Sequence, residues 1–338
     1  MRAFSYERPS DLQAAIKAAG TSPDNQPPTQ AAAQFIAGGT NMSDYMKLNV
    51  NRPERLIDLN KLSEPAMTAI RVDDAGLHLG ALVRMSDAQE HEDVVRMFPV
   101  ISDSLRLAAS GQIRNMASLG GNLLQRTRCE YFREVSWPCN KREPGAGCSA
   151  LDGVNRQHAV LGGSEACIAT YHGDFAQALI ALDAEVEIAR AKGSRRMPFA
   201  DLHKLPQDTP QIETALSPSD IIVAIHVPSG PWRRSRYLKV RDRESYAFAL
   251  ASAAVALDMD GDTVRGARIA LGGVATVPWR AKSAEEMLTG RKLDEAAAKE
   301  AADTAFAEAS GRKHNAYKIP LGKQTLVRAL LETQDMKV

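Results

Sequence analysis

The chain has 338 residues, 44% of them apolar and 25% charged, and its 42 Lys and Arg against 41 Asp and Glu leave a net charge of +1. A chain of this length divides into two or three domains more readily than it builds one core, and it buries enough surface to need no disulfide or metal for bulk stability. The composition excludes collagen, coiled-coil rods and wholesale disorder. The charge balance speaks against a protein devoted to nucleic-acid backbones. No apolar run approaches the roughly 18 residues of a membrane helix, so no membrane insertion is expected. The N-terminus, MRAFSYERPSDL, has no apolar segment and no twin arginine, and the chain is expected to carry no export signal of its own.

Residues 11–19 have helical spacing, and 20–33 form a polar, turn-rich connection. A short apolar run, 34–37, then enters Gly38-Gly39-Thr40-Asn41-Met42-Ser43. A strand that runs into a double glycine with hydroxyl and amide side chains is a common way to present backbone N–H groups to phosphate. Residues 55–60 and 77–83 read as strands and 86–96 as a helix opened by a Ser/Asp cap. A helix over 100–109 precedes a second loop of the same kind, Ser118-Leu119-Gly120-Gly121-Asn122. A single glycine pair is usually a tight turn; two, each flanked by Ser or Thr and Asn, leave turn and pyrophosphate clamp both open. G-x-G-x-x-G and G-x-x-x-x-G-K-S/T are absent, which excludes the Rossmann and P-loop readings.

The four cysteines, Cys129, Cys139, Cys148 and Cys167, all fall between positions 129 and 167 with the spacing C-x9-C-x8-C-x18-C. Two disulfides or a four-thiolate metal site would explain such clustering, and the lack of a secretory signal favours the metal. Structural zinc sites bring ligands in pairs two to four residues apart. No pair here is close, which suits a bulkier iron–sulfur cubane reached from several loop segments without proving one. Residues 125–156 are rich in Pro and Gly and read as loop. Arg126, Arg128, Arg133, Lys141 and Arg142 bring five cations beside the first two cysteines and as a group fit an anionic cofactor.

Beyond the cysteines, a helix runs from Asp174, read as its cap, to Leu182, and strands follow at 185–190 and 221–228. A basic, turn-rich stretch at 229–236 marks the domain break. Strands are then predicted at 237–240, 246–257 and 264–274, and helices at 281–288, 294–309 and 323–333. Lys239 reads as a strand-edge lysine. The seven histidines form no H-E-x-x-H, and no G-x-S-x-G elbow occurs, so no side chain is assigned a catalytic role.

The strings FIAGGTNMSDYMKL, GQIRNMASLGGNLLQRTRC, CNKREPGAGCSALDGVNRQHA and SEACIA, with KVRDRESYAFALASAA and ALGGVATVPWR, resemble the FAD-binding medium subunits of the xanthine oxidase family. Within it they resemble most the bacterial periplasmic aldehyde oxidoreductases, along essentially the whole chain. The resemblance implies an α+β fold. A VAO/PCMH-type FAD-binding domain over 1–228 has two lobes (about 1–60 and 61–228), the second carrying a [4Fe–4S] loop at 125–168. A smaller α/β domain like that of carbon monoxide dehydrogenase flavoproteins covers 229–338. It also implies flavin contacts from Ile36, Ala37, Gly38, Gly39, Thr40, Asn41, Met42 and Ser43. A second set comes from Ala109, Ser118, Leu119, Gly120, Gly121 and Asn122, and a third from Asp174, Ile222 and Lys239. It makes Cys129, Cys139, Cys148 and Cys167 the ligands of the [4Fe–4S] cluster.

The implied function is electron relay within a molybdenum hydroxylase that oxidises aldehydes to carboxylic acids. A large molybdenum-cofactor (molybdopterin) subunit oxidises the substrate, a small subunit carries [2Fe–2S] clusters, and FAD on this chain passes electrons to an external acceptor. The chain is expected to be inactive on aldehydes alone and to reach the periplasm within a co-exported complex, the cytoplasm being the alternative. Two other readings remain. One is the flavin and [4Fe–4S] subunit of a 4-hydroxybenzoyl-CoA reductase-type enzyme; the other is a zinc-stabilised binding module without redox role.

Overall fold

The computed structural model describes residues 1–20, 23 and 26–337, so positions 21, 22, 24 and 25 of the turn-rich connection lie outside the described residues. Helices and three sheets make up the described residues, as the α+β reading expects. Strands β1 (Ser5–Glu7), β2 (Ala33–Ile36) and β3 (Arg55–Asp58) form a small parallel sheet in the order β1-β3-β2. Helix Leu12–Ala19 covers it. It starts at Asp11, whose carboxylate accepts from the Ala14 N–H at 2.8 Å, and it buries Ala15, Ile16 and Ala19.

The second sheet is antiparallel: β4 (Ile70–Asp73), β5 (Gly76–Gly80), β6 (Glu185–Ala189), β7 (Ser194–Pro198) and β8 (Ile221–Pro228), in the order β4-β5-β8-β6-β7. Its Leu77, Leu79, Val186 and Ile225 share one core with Leu105 of helix Pro99–Arg106 and Phe175 and Leu179 of helix Phe175–Ala181. Helix Phe175–Ala181 (FAQALIA) is buried on every side, as its apolar composition requires.

The third sheet, β9 (Ser235–Val240), β10 (Ala251–Asp260), β11 (Thr263–Gly272) and β12 (Trp279–Arg280), is also antiparallel, in the order β12-β11-β10-β9. Its central strand β10 divides the two cores. The period-2 alternation sends Ala251, Ala253, Val255 and Leu257 toward helices Lys282–Leu288, Glu295–Ala305 and Lys318–Gln334. Ala254 and Ala256 face the core of the second sheet instead. Small residues on both faces let two domains close on one strand, which is why this run is rich in alanine and serine.

Several elements differ from the sequence expectation for identifiable reasons. The helix expected at 86–96 breaks at His91, which is extended at φ −61°, ψ 126°. The strand expected at 77–83 stops at Gly80 because Ala81 turns its carbonyl to Gly120 N at 2.8 Å. The strand expected from Tyr246 begins at Ala251, since Tyr246 has φ +52° and turns the chain. The last helix begins at Lys318, not 323. Pro320 sits in its first turn, where a missing N–H costs nothing, and Gly322 lets the Phe306 ring lie against the backbone. Helices Gly111–Met116 and Leu119–Leu123, and strands β1, β4, β7 and β12, go beyond the elements expected from the sequence.

Candidate functional site

A cavity of about 1170 Å³ runs from β2 past the glycine loops to Ile222 of β8 and the loop 242–250. Ile36, Ala37, Gly38, Gly39, Thr40, Asn41 and Met42 line it, as do Ala109, Ser118, Gly120, Gly121, Asn122, Asp174 and Ile222. Ser43, Leu119 and Lys239 do not. Leu119 points into the core, and Lys239 lies behind the wall, against Asp174.

The two glycine loops touch. A Cβ built on Gly38 would stand 2.0 Å from the Met116 carbonyl oxygen, so glycine alone lets the first loop pass under the second. Arg84 and Asn60 tie them: Arg84 donates to Met116 O at 2.5 Å and to Asn60 Oδ1 at 2.9 Å, and Asn60 Nδ2 donates to Ala37 O at 2.7 Å. Gly39 takes φ +71°, the left-handed region that glycine enters freely.

The loops present different chemistry. In the first, the N–H groups of Gly38, Gly39, Thr40 and Asn41 donate to no acceptor among the described residues. In the second, Leu119 N bonds Val83 O, Gly120 N bonds Ala81 O, Gly121 N bonds Ser118 Oγ and Asn122 N bonds Ser118 O. The first loop therefore offers donors to an anion. The second offers a smooth glycine surface and the Asn122 amide, whose Oδ1 is buried without a partner. Between them Ala109 holds φ +49°, an unusual conformation for alanine, just before the helix capped by Ser110.

Asp174 and Lys239 form a buried pair at 2.7 Å, with side chains 5% and 1% exposed. Asp174 Oδ1 also accepts from the Tyr237 hydroxyl at 2.7 Å, and that oxygen lies 2.8 Å from Ser252 Oγ. Lys239 Nζ gives a second bond to Leu107 O at 3.0 Å. Lys239 does lie on the edge strand β9, but its side chain turns inward: Tyr237 and Lys239, two apart on that strand, point the same way into the domain junction. Asp174 does sit at the helix N-terminus, but its carboxylate caps nothing and faces β9 instead.

The five cations expected to gather beside the cysteines disperse. Arg126 and Lys141 pair with Glu213, Lys141 at 3.1 Å, and Arg133 pairs with Asp44. Burial raises the Glu213 carboxyl, but Arg126 and Lys141 outweigh it and hold it below the usual range. Arg142 is buried and donates to the carbonyls of Tyr131, Phe132, Val135 and Trp137, bracing the loop from inside. Arg128 has no carboxylate within 4.0 Å among the described residues. It stacks over Tyr45 and Phe248 at 5.5 and 5.4 Å and lines the cavity. With its amide oxygen turned inward, Asn41 accepts from both Arg128 terminal nitrogens at 2.9 and 2.8 Å. Proximity to Cys129 in sequence hides this role; the pairing depends on Asn41, far away along the chain.

Cys129, Cys139, Cys148 and Cys167 share one apolar cluster with Tyr45, Phe132 and Ile168, and Cys139 and Cys148 face each other across a β-bridge. Among the described residues no three His, Cys, Asp or Glu side chains are arranged as ligands of one metal ion. All four thiols are free. Burial pushes the Cys129 thiol far up, and pushes Cys167 up to about 11 against the opposing pull of Lys141 and the Ala169 N–H. Donors nevertheless converge on the sulfurs: Ala169 N on Cys167 Sγ at 3.4 Å, His158 Nε2 at 3.1 Å from Cys129 Sγ. Histidine spacing in the sequence could not reveal His158, because its partner is a single cysteine.

The family described as FAD binding domain in molybdopterin dehydrogenase matches residues 2–230, and CO dehydrogenase flavoprotein C-terminal domain matches 236–333. The chain is an FAD-binding medium subunit of the xanthine oxidase family. It is 46% identical over 336 residues to the aldehyde oxidoreductase FAD-binding subunit PaoB of Escherichia coli (strain K12), covering 99% of each chain. It is 25% identical to the carbon monoxide dehydrogenase medium chain of Hydrogenophaga pseudoflava, covering 97% of this chain and 96% of that one. A chain of quinoline 2-oxidoreductase from Pseudomonas putida 86 shares the fold at TM-score 0.74, with 24% identity and 98% and 97% of the two chains covered. As a member of this family the chain is an oxidoreductase subunit that binds FAD through its first domain.

Proposed function

We propose that this medium subunit is the FAD- and [4Fe–4S]-containing electron-transfer component of a molybdenum hydroxylase that oxidises aldehydes to carboxylic acids. Its partners are a large molybdenum-cofactor subunit and a small [2Fe–2S] subunit, and it delivers electrons to an external acceptor. The full-length identity of 46% to an aldehyde oxidoreductase subunit is the observation that carries the reading. Among the described residues no helix is long and apolar enough to cross a membrane. We place the assembled complex in the periplasm, exported with a partner's signal; cell fractionation tests that.

The residues fit an FAD pyrophosphate. Gly38, Gly39, Thr40 and Asn41 offer four unpaired N–H groups, and Arg128 brings an unpaired cation held in place by Asn41 and Tyr45. Gly120, Gly121 and Ala109 shape the opposite wall. Asp174, fixed by Lys239 and Tyr237, and the apolar Ile222 line the same space. FAD, when bound, supplies acceptance of two electrons and their release singly or in pairs. The protein's own work is to hold, orient and electrostatically tune it.

The four thiols share one apolar pocket, which supports a cofactor held by all of them. A zinc ion draws sulfurs to about 2.3 Å from one centre, and among the described residues no three His, Cys, Asp or Glu side chains are arranged around one metal ion. Loop 125–168 brings them together, Arg142 braces it, and Lys141 lends positive charge to Cys167. An anaerobic spectrum of the purified chain before and after dithionite, with iron and flavin counted, tests both sites. The expected result is flavin bands with a broad iron–sulfur shoulder and about four iron and one FAD per chain. A colourless protein holding one zinc would overturn it.

A further inference from the structure

We propose that His158 donates its Nε2–H to the Cys129 thiolate and thereby favours the reduced form of the iron–sulfur cluster; this rests on the four-cysteine cluster reading above. His158 is 5% exposed, and its Nε2 lies 3.1 Å from Cys129 Sγ. Its other ring nitrogen, Nδ1, is buried with no partner. A cluster-bound thiolate has no proton and can only accept, so the bond requires the hydrogen on Nε2. A hydrogen on Nδ1 would instead be a buried donor without an acceptor, which is costly. Geometry therefore selects one tautomer. Among the described residues His158 is the one side chain that bonds a cysteine sulfur.

The ring is held from outside the cysteine loop. Asn315, fully buried in the C-terminal domain, donates to His158 O and Ala159 O at 3.4 and 3.0 Å. Asn155 accepts from His314 N at 3.0 Å, and its carbonyl receives His158 N at 3.0 Å. Lys318 Nζ donates to Gln157 O at 3.0 Å. Asn315 and Lys318 thus fix the backbone of residues 157–159, His314 holds Asn155 ahead of it, and Tyr131 flanks the His158 ring at 6.2 Å. His158 is a positioning and tuning residue. Adding one electron raises the negative charge on the sulfurs, so the donor binds the reduced state more strongly, and hydrogen bonds to sulfur are one lever on cluster potential. No proton moves: Nε2–H stays on His158 in both states.

The test uses the full chain, purified anaerobically with ¹⁵N-labelled histidine and reduced with dithionite. Pulsed paramagnetic resonance is expected to show one histidine ¹⁵N coupled to the cluster and, beside the Ala169 N–H proton, the exchangeable proton carried by that histidine. In His158→Leu the histidine ¹⁵N coupling and its proton vanish while the Ala169 N–H proton remains, iron stays at about four per chain, and reduction becomes about tenfold less favourable, about 59 mV for one electron. His158→Gln, which keeps a donor, recovers most of that shift. Four iron with no histidine coupling in the wild type, or an unchanged potential in His158→Leu, overturns the proposal while leaving the cluster intact. Should His158→Leu fail to fold, the labelled wild type decides alone. A wild-type chain without iron fails the cluster reading itself.

Discussion

Lys239 Nζ and Asp174 Oδ2, 65 residues apart in sequence, meet at 2.7 Å in a nearly solvent-free junction between the flavin domain and the C-terminal sheet. A buried pair of this kind adds little net stability over apolar residues, but removal of one partner strands a charge and costs about 3–5 kcal/mol. Lys239→Met and Asp174→Asn are each expected to lower the melting temperature by several degrees. The double variant should recover a large part of that loss. Additive losses in the thermal double-mutant cycle would show the pair to be uncoupled.

Gly38→Ala places a methyl group on the Met116 carbonyl. The two loops must then part, so flavin affinity is expected to fall at least about tenfold, about 1.4 kcal/mol, with secondary structure retained. Fluorescence titration of the apo chain with FAD checks this. Unchanged affinity would mean the loops separate without consequence for the site.

Arg128→Gln removes a cation of the cavity that has no carboxylate partner among the described residues. A hydrogen bond to a charged group contributes about 1.5–3 kcal/mol, so FAD should bind about 10- to 150-fold more weakly. Riboflavin, which has no phosphate, should bind as before. An equal loss for both ligands would place Arg128 away from the pyrophosphate.

Cys139→Ser is expected to bring iron to background and to reduce soluble yield, because the segment 125–168 loses an anchor opposite Cys148. Iron analysis beside flavin content decides. Full iron in this variant would refute the four-cysteine assignment.

His203 lines the cavity and donates Nε2–H to Leu123 O at 3.0 Å; burial lowers its pKa to about 4 from an ordinary 6.5. Between those values the unfolded chain binds the proton and the folded chain does not, so stability falls as pH drops from 6.5 towards 4. This one group contributes a slope of up to about 1.4 kcal/mol per pH unit. Chemical unfolding of the apo chain at pH 7 and 5, compared with His203→Gln, should show a smaller pH dependence in the variant. Equal slopes would remove His203 from the acid response.

Features encoded within a few residues are legible in the amino-acid order itself. The run 34–37 into Gly38-Gly39 is a strand entering a loop, because alternation and glycine act locally. The cysteines cluster in space as they do in sequence. Asp11 and Asp294 cap the helices expected after them. The Tyr237-x-Lys239 spacing is also visible, yet nothing nearby names Asp174 as what both reach.

Sequence by itself showed the resemblance to the family, the two glycine loops and the clustering of four cysteines, while the flavin and cluster roles of those residues are what the resemblance implies. Tertiary structure alone decided which cations met a carboxylate, leaving Arg128 and Arg142 without one and placing Arg128 in the cavity, and which glycine loop kept unpaired N–H groups. It alone made β10 a wall shared by two cores and aimed His158 at Cys129. The physical reason is that a hydrogen bond, ion pair or packing contact is settled by whichever partner arrives through space, and here those partners lie tens to more than a hundred residues away along the chain.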